Sequence, residues 1–282
     1  MKRRLAFLRL VSALLLILVR VATASAIWYV DGVNGNDGND CTSRQTASKT
    51  IGHAISLASS GDTIGVGPAT YTENLYIGIN LRVIGANASA TIIDGGGAET
   101  VVTTGAGANV TLSRLTIRNG RYGGIKNKGS TLTINNSIIT ANGFVSYGGG
   151  VSNYGSLTIN GSTISNNSAF TGGAIFNNQV GTLSINNSTI SGNSGGGVLN
   201  YNAATISNST IAENSGGYGI QNVGGEGRVV LQNSIIANNL DANCFSPNRI
   251  LISKGYNLSS DGSCNHTIIS VPVHTAVWFI RP

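Results

Sequence analysis

Between Thr131 and Asn239 the chain repeats nearly one phrase: TLTINNSIITAN, SLTINGSTISNN and TLSINNSTISGN, then the looser ATISNSTIAEN and VVLQNSIIANN. The aligned Asn-Ser or Gly-Ser steps begin at Asn136, Gly161, Asn187, Asn208 and Asn233, a recurrence of 21 to 26 residues. A second phrase keeps a similar period, reading GGIKN, GGGVSN, GGAIFN, GGGVLN and YGIQN. It ends at Asn127, Asn153, Asn177, Asn200 and Asn222. A unit this short cannot bury its apolar side chains alone, so the period dictates a solenoid in which each copy stacks on its neighbours.

Each copy reads as strand, turn, strand, glycine-rich turn, strand. Leu132/Ile134, Leu157/Ile159 and Leu183/Ile185 alternate with polar residues, as a strand with one buried face requires. A third apolar position follows the asparagine turn, at Ile139, Ile164, Ile190, Ile211 and Ile236. No window here keeps a helical period over ten residues. Leucine is too sparse for a leucine-rich repeat, and the aspartates of calcium-binding nonapeptide repeats are absent. The expected fold is therefore all-β, a right-handed parallel β-helix, the architecture of the pectin-lyase-like superfamily. Coils about 4.8 Å apart would let Asn127, Asn153, Asn177, Asn200 and Asn222 stack as a ladder of amides. Ladders and left-handed corners together account for 33 asparagines and 39 glycines without any ligand.

Residues 1–26 read as a secretory signal: Lys2, Arg3 and Arg4, an apolar run from Leu10 to Val19, then Ala24-Ser25-Ala26. The run is short for a membrane span, so the expectation is an exported chain, secreted or at the cell surface, with no span after cleavage. An uncleaved N-terminal anchor is the alternative. The leader holds five of the 17 basic residues, leaving 12 against 11 acidic ones. The net charge of +6 is thus largely the leader's, and nucleic-acid binding is not indicated. Cys244 and Cys264, 20 residues apart, are candidates for a disulfide in an exported chain. Cys41 has no evident partner.

In TASKTIGHAISLAS, Ile51, Ala54, Ile55 and Ala58 fall on one helical face. The segment is read as a short N-terminal capping helix, covering a coil edge that would otherwise template aggregation. The domain reading is 27–60 for strand, loop and cap helix, 61–265 for the β-helix, and 266–282 for an atypical tail.

The order of these pieces resembles bacterial secreted right-handed β-helix proteins. The match lies in Tyr29–Asp31, Lys49–Ile55, Gly61–Ile64 and Tyr71–Asn74. NSIIANN, Asp241, Cys244 and GYNLSSDGSC at Gly255–Cys264 are similar to the choice-of-anchor Q group. The resemblance covers about residues 27–265 and implies fold and export more than activity. That group continues through a closing coil to a surface anchor. Here NHTIISVPVHTAVWFIRP follows instead and reads as a truncated or frame-shifted end.

Lyases and hydrolases of this architecture gather carboxylates on one face, because acid-base chemistry on sugars needs them within several ångströms. From Thr100 to Ala212 there is no Asp or Glu, and beyond it Glu213 and Glu226 lie in different turns. His53 belongs to the cap, while His266 and His274 fall in the tail. No catalytic residue and no metal site is assigned. Asp62, Glu73, Asp94 and Glu99 are the set a lyase would need to bring together. The loop Asp31–Asp40 offers oxygen ligands for calcium but lacks the spacing and closing glutamate of an EF-hand, so it reads as a turn-rich loop.

Arg114, Arg118, Arg121, Lys126 and Lys128 stand inside the acid-free stretch. With Leu115 and Ile117 inward, Arg114, Thr116 and Arg118 are expected on one outer strand face, Lys126 and Lys128 on that face or another. This group is the candidate strip for an acidic polysaccharide; ordinary solvated side chains on a solenoid flank are the competing explanation. The reading is an exported, non-catalytic structural or glycan-binding module needing no cofactor. A pectate-lyase-like polysaccharide lyase is the alternative, and a degenerate fragment a third.

Overall fold

A computed structural model of the chain describes residues 25–265, apart from residue 144, residues 224–226 and residues 248–249. Most of the expected leader, Glu226 and the tail from His266 onward lie outside the described residues.

Each coil of the repeat supplies one strand to each of three parallel walls. Thr131–Asn135 belongs to a ten-stranded first wall, Ile138–Thr140 to a nine-stranded second wall and Val151–Asn153 to an eight-stranded third wall. Neighbouring coils pair in parallel and in register, residue for residue of the sequence repeat. The protein is the all-β parallel β-solenoid the repeat demanded.

Register turns the repeat into apolar stacks. Leu132, Leu157, Leu183, Ala204 and Val229 form one. Ile134, Ile159, Ile185, Ile206 and Leu231 form the next, and Ile139, Ile164, Ile190, Ile211 and Ile236 line the second wall. All are buried. Each large aliphatic contributes about 1.5–3 kcal/mol relative to exposure, and none could be buried by its own coil alone.

The asparagines divide into two roles. Asn136, Asn187, Asn208 and Asn233 have φ of 47°, 49°, 49° and 50° and turn the chain from the first wall to the second. The fifth copy of that corner is Gly161, φ 56°. Asparagine and glycine tolerate this left-handed conformation. The serine after each corner turns inward: Ser137, Ser162 and Ser188 each donate their N–H to the next coil's serine Oγ at 3.1 Å.

The ladder read from the sequence is present. Asn127, Asn153, Asn177 and Asn200 each donate Nδ2–H to the Oδ1 of the next member, at 2.7, 2.7, 2.7 and 2.9 Å, ending on Asn222. All five are fully buried. A second buried ladder was not anticipated. It runs through Asn142, Asn167, Asn193, Asn214, Asn239 and Asn243 with Nδ2···Oδ1 distances of 2.9 to 3.0 Å. Its signal was the last asparagine of each repeated phrase.

The cap is a seven-residue helix, α1 (Ile51–Leu57), with Ile51 and Ala54 buried against the first coil. Thr50 Oγ1 accepts from the His53 N–H at 3.2 Å, and Glu73 accepts the N–H groups of Ile51 and Gly52 at 2.8 Å each. A helix this short is marginal alone; a capping hydroxyl and a carboxylate at its positive end stabilise it. At the other end, Cys244 and Cys264 are disulfide-bonded, and Cys41 is free and buried.

Candidate functional site

The five basic residues do not share one face. Arg114 is not on a strand: it occupies the left-handed corner, φ 57°, at the place where later coils carry Asn136. From there it lines a cavity of about 440 Å³ with Tyr29, Asp31, Arg44 and Thr63, over the outer side of the first wall. Thr116 is buried, donating to the Ala88 carbonyl at 2.6 Å, so the expected outward run Arg114, Thr116, Arg118 is broken. The segment before Thr91 folds over that strand and covers it. Arg118 on the second wall is paired, its Nε donating to Asp94 Oδ2 at 2.8 Å. Arg121 lies in the following turn, its guanidinium 5.7 Å from the Tyr122 ring centroid. With Asn119, Gly120 and Gly143 it lines a groove of about 340 Å³.

Lys126 and Lys128 lie elsewhere. Lys126 is outward on the third wall between the buried Ile125 and Asn127, and Lys128 follows at the turn; both are exposed. The cations are therefore distributed over the corner, the second wall with its turn, and the third wall.

The carboxylates of the early coils hold the scaffold together. Asp62 accepts from the Ala26 N–H, the Trp28 indole and the Ser59 N–H, each at 2.8 Å. Burial alone would raise its carboxyl, but these donors hold it below the ordinary range. Asp94 accepts from Gly96, Asn119 and Arg118 at 2.8 to 2.9 Å. Burial pushes Glu73 above the usual range against its two amide donors. Glu99 is exposed, and Glu213 sits at a left-handed corner, φ 57°.

In the loop Asp31–Asp40 the aspartates face their own backbone. Asp31 accepts from the N–H groups of Val33 and Asn34, Asp40 from Thr42, and Asp37 from Lys49 and Thr50. Among the described residues no three His, Cys, Asp or Glu side chains group to hold a metal ion.

Sequence reading missed an aromatic cluster on the third wall. The central residue of each third-wall strand points outward, and register aligns Tyr76, Thr103, Lys126, Ser152, Phe176, Leu199, Gln221 and Phe245 in one row. Phe176 is nonetheless only 6% exposed. The rings of Tyr147, Tyr154 and Tyr201 close around it at centroid distances of 5.0, 5.9 and 5.8 Å. Tyr218 stacks on Phe245 at 4.6 Å. The middle letter of the Ile-x-Asn phrase carried this signal, since an apolar residue there has no place inside.

No protein-family model matches the chain, and no curated protein is significantly similar to it. Solved structures do share its shape. The pectate lyase Pel9A superposes with a TM-score of 0.60 at 17% identity, over 83% of this chain and 70% of that one. The pectin methylesterase PemA from Erwinia chrysanthemi gives 0.59 at 16% identity, over 88% and 94%. A pectin methylesterase in complex with a hexasaccharide gives 0.54 at 14%, over 91% and 93%. At these identities the likeness is one of fold.

Proposed function

We propose that the chain is an exported, non-catalytic β-helix module that binds an acidic polysaccharide or the glycan of a cell surface. One observation carries the reading. Of the four carboxylates on which sugar cleavage would depend, Asp62, Glu73 and Asp94 are committed to backbone amides, an indole and Arg118, which leaves the exposed Glu99 without a second carboxylate to act with. Arg114, Arg121, Lys126 and Lys128, by contrast, are exposed and have no carboxylate partner among the described residues. Such a surface attracts a polyanion and offers it no acid-base pair.

Two things support the sugar-polymer reading: the pectin-related proteins that share the fold, and the regular outer walls of a solenoid, which suit an extended chain. The leader and the similarity to the choice-of-anchor Q group support export. A pectate-lyase-like activity is the competing reading and rests on fold alone.

The test combines binding and turnover. Affinity electrophoresis through polygalacturonate at low salt is expected to retard the protein, and the retardation to vanish at molar salt, where charges are screened beyond about 3 Å. Incubation with acidic glycans, with and without calcium, is expected to yield no unsaturated product. Appearance of that product's ultraviolet absorbance would replace this reading with the lyase.

A further inference from the structure

We propose that the outer face of the third wall around Phe176 is a stacking platform for the sugar rings of a uronate-containing glycan, with Lys126 and Lys128 taking its carboxylates. The proposal rests on the glycan-binding reading and gives it a place.

Outward positions on a solvated wall are ordinarily polar. Here Phe176, Leu199 and Phe245 occupy them in consecutive or near-consecutive coils. The tyrosines over Phe176 come from the two adjoining coils: Tyr147 and Tyr154 from the turns on either side of Val151–Asn153, Tyr201 from the tight turn after Val198–Asn200. Tyr147 remains 45% exposed, so the group is a surface and not a second core. Beside it, Val145–Tyr147 and Ala169–Thr171 pair as a two-stranded parallel ridge. Phe170, 87% exposed, is one residue out of phase with the Tyr147–Thr171 pair and lies on the ridge's opposite face, so the exposed rim of the group is Tyr147. Scattered apolar residues need no explanation, but a contiguous aromatic group with an exposed rim marks a binding surface.

The chemistry of the rings favours sugar. Tyrosine supplies rigid, amphipathic contact area with few torsions to freeze, and the face of a pyranose offers C–H groups to such a ring. None of the hydroxyls of Tyr147, Tyr154 and Tyr201 has a hydrogen-bond partner among the described residues, which leaves them free for sugar hydroxyls.

Charge decides which sugar. Lys126 stands in the same outward row as Phe176, two coils away, roughly 10 Å at the ordinary strand spacing. Lys128 is at the adjoining turn, and no acidic residue occurs from Thr100 to Ala212. A polymer lying along the solenoid axis meets rings over Phe176 and ammonium groups next to them. A second copy of the same surface, without an acidic residue from Thr100 to Ala212, has no carboxylate to offer these lysines.

The experiment titrates the protein with a galacturonate oligomer, its methyl-esterified form and a neutral gluco-oligomer. Tyr147→Ala with Tyr201→Ala removes outer rings of the group and is expected to weaken galacturonate binding at least tenfold at any salt, with a lower but still cooperative melt. Lys126→Ala with Lys128→Ala is expected to weaken it about tenfold at low salt and to flatten the salt dependence. Arg82→Ala with Arg228→Ala, both exposed on the first wall, is expected to change nothing. On the parent protein, saturation-transfer NMR is expected to show the sugar ring protons receiving magnetisation from aromatic protons.

Parental affinity in the Tyr147/Tyr201 variant, or an equal loss in the arginine variant, overturns the platform while the glycan reading stands. A parent protein that binds no uronate oligomer overturns the glycan reading itself. A concentration-dependent dimer that the Tyr147/Tyr201 variant dissolves overturns the platform in favour of a contact between copies.

Discussion

At the residue scale, the same amino acid is indispensable in one place and replaceable ten residues later. Asn177 is fully buried, receives the Asn153 amide, and donates to Asn200 Oδ1 and the Gly181 carbonyl. Asn177→Ala leaves those two acceptors without their donor. At about 1–3 kcal/mol per stranded group the loss is roughly 2–6 kcal/mol, a fall of about 4–24 °C in Tm for a chain of this size. Asn187 is a corner, so Asn187→Gly is expected to leave Tm within a degree or two, and Asn187→Ala to cost about 1–2 kcal/mol. Thermal melts of the three variants check the division; equal losses at both sites would refute it. Acid sensitivity belongs to this scale too. Asp62 holds its proton less tightly folded than unfolded, so the unfolded chain binds more protons as pH falls. Its stabilisation is present above the ordinary value of 3.8 and lost as pH drops through the lower folded value. Asp37, Asp94 and Asp261 shift in the same direction. Stability is therefore expected to decline below pH 3.8, and Asp62→Asn to shrink that decline in melts taken from pH 6 to 2.

At the element scale, the two ends of the described solenoid carry different devices. The N-terminal end has α1, whose Ile51 and Ala54 pack against the first coil. The other end has a cross-link between Cys244 on the third wall and Cys264, which bounds the last described strands, Ile250–Ser253 and Leu258–Ser259. A disulfide closing a loop of this length is worth about 3 kcal/mol. Cys264→Ser is expected to raise amide exchange in residues 244–260 while leaving Thr131–Asn200 protected. Uniform acceleration along the chain would contradict a local role. Elements were readable from sequence in proportion to how strictly they repeat. Leu132/Ile134 and their copies announced the first wall, and the Ile-x-Asn phrase announced the inner ladder. The partnership of Arg118 with Asp94 was not readable, because Asp94 lies in an early coil whose phrasing diverges from the consensus. Arg114 was misplaced for a related reason. Its coil carries Arg where others carry Asn, so a corner was taken for the strand that follows it. The cluster around Phe176 depends on turns of unequal length delivering Tyr147, Tyr154 and Tyr201 to one spot, which strand periodicity does not encode.

At the scale of the whole molecule, a quasi-one-dimensional stack makes a demand that an ordinary globular core does not. Each coil contacts only the coils above and below it, so stability is close to a sum of coil and interface contributions. One coil is therefore expected to be removable if the excision keeps the register. Deleting Ser156 through Gly181, 26 residues, joins Gly155 to Thr182. Leu132 would then face Leu183, Ile134 face Ile185, Ile139 face Ile190 and Val151 face Val198, each as well matched as its present neighbour. The inner ladder would pass from Asn153 to Asn200 and the second from Asn142 to Asn193, while Asn136 and Asn187 keep their corners. The shortened chain is expected to melt cooperatively, a few degrees lower, with an unchanged far-ultraviolet dichroism shape. It is also expected to lose galacturonate binding, since Phe176, on which the tyrosines pack, leaves with the excised coil. Deleting Thr163 through Ala174 instead supplies a first-wall strand without its second-wall partner and is expected to aggregate. If the full-coil deletion aggregates equally, the coils are not interchangeable units, and the differences among their turns, more than the shared phrase, hold the molecule together.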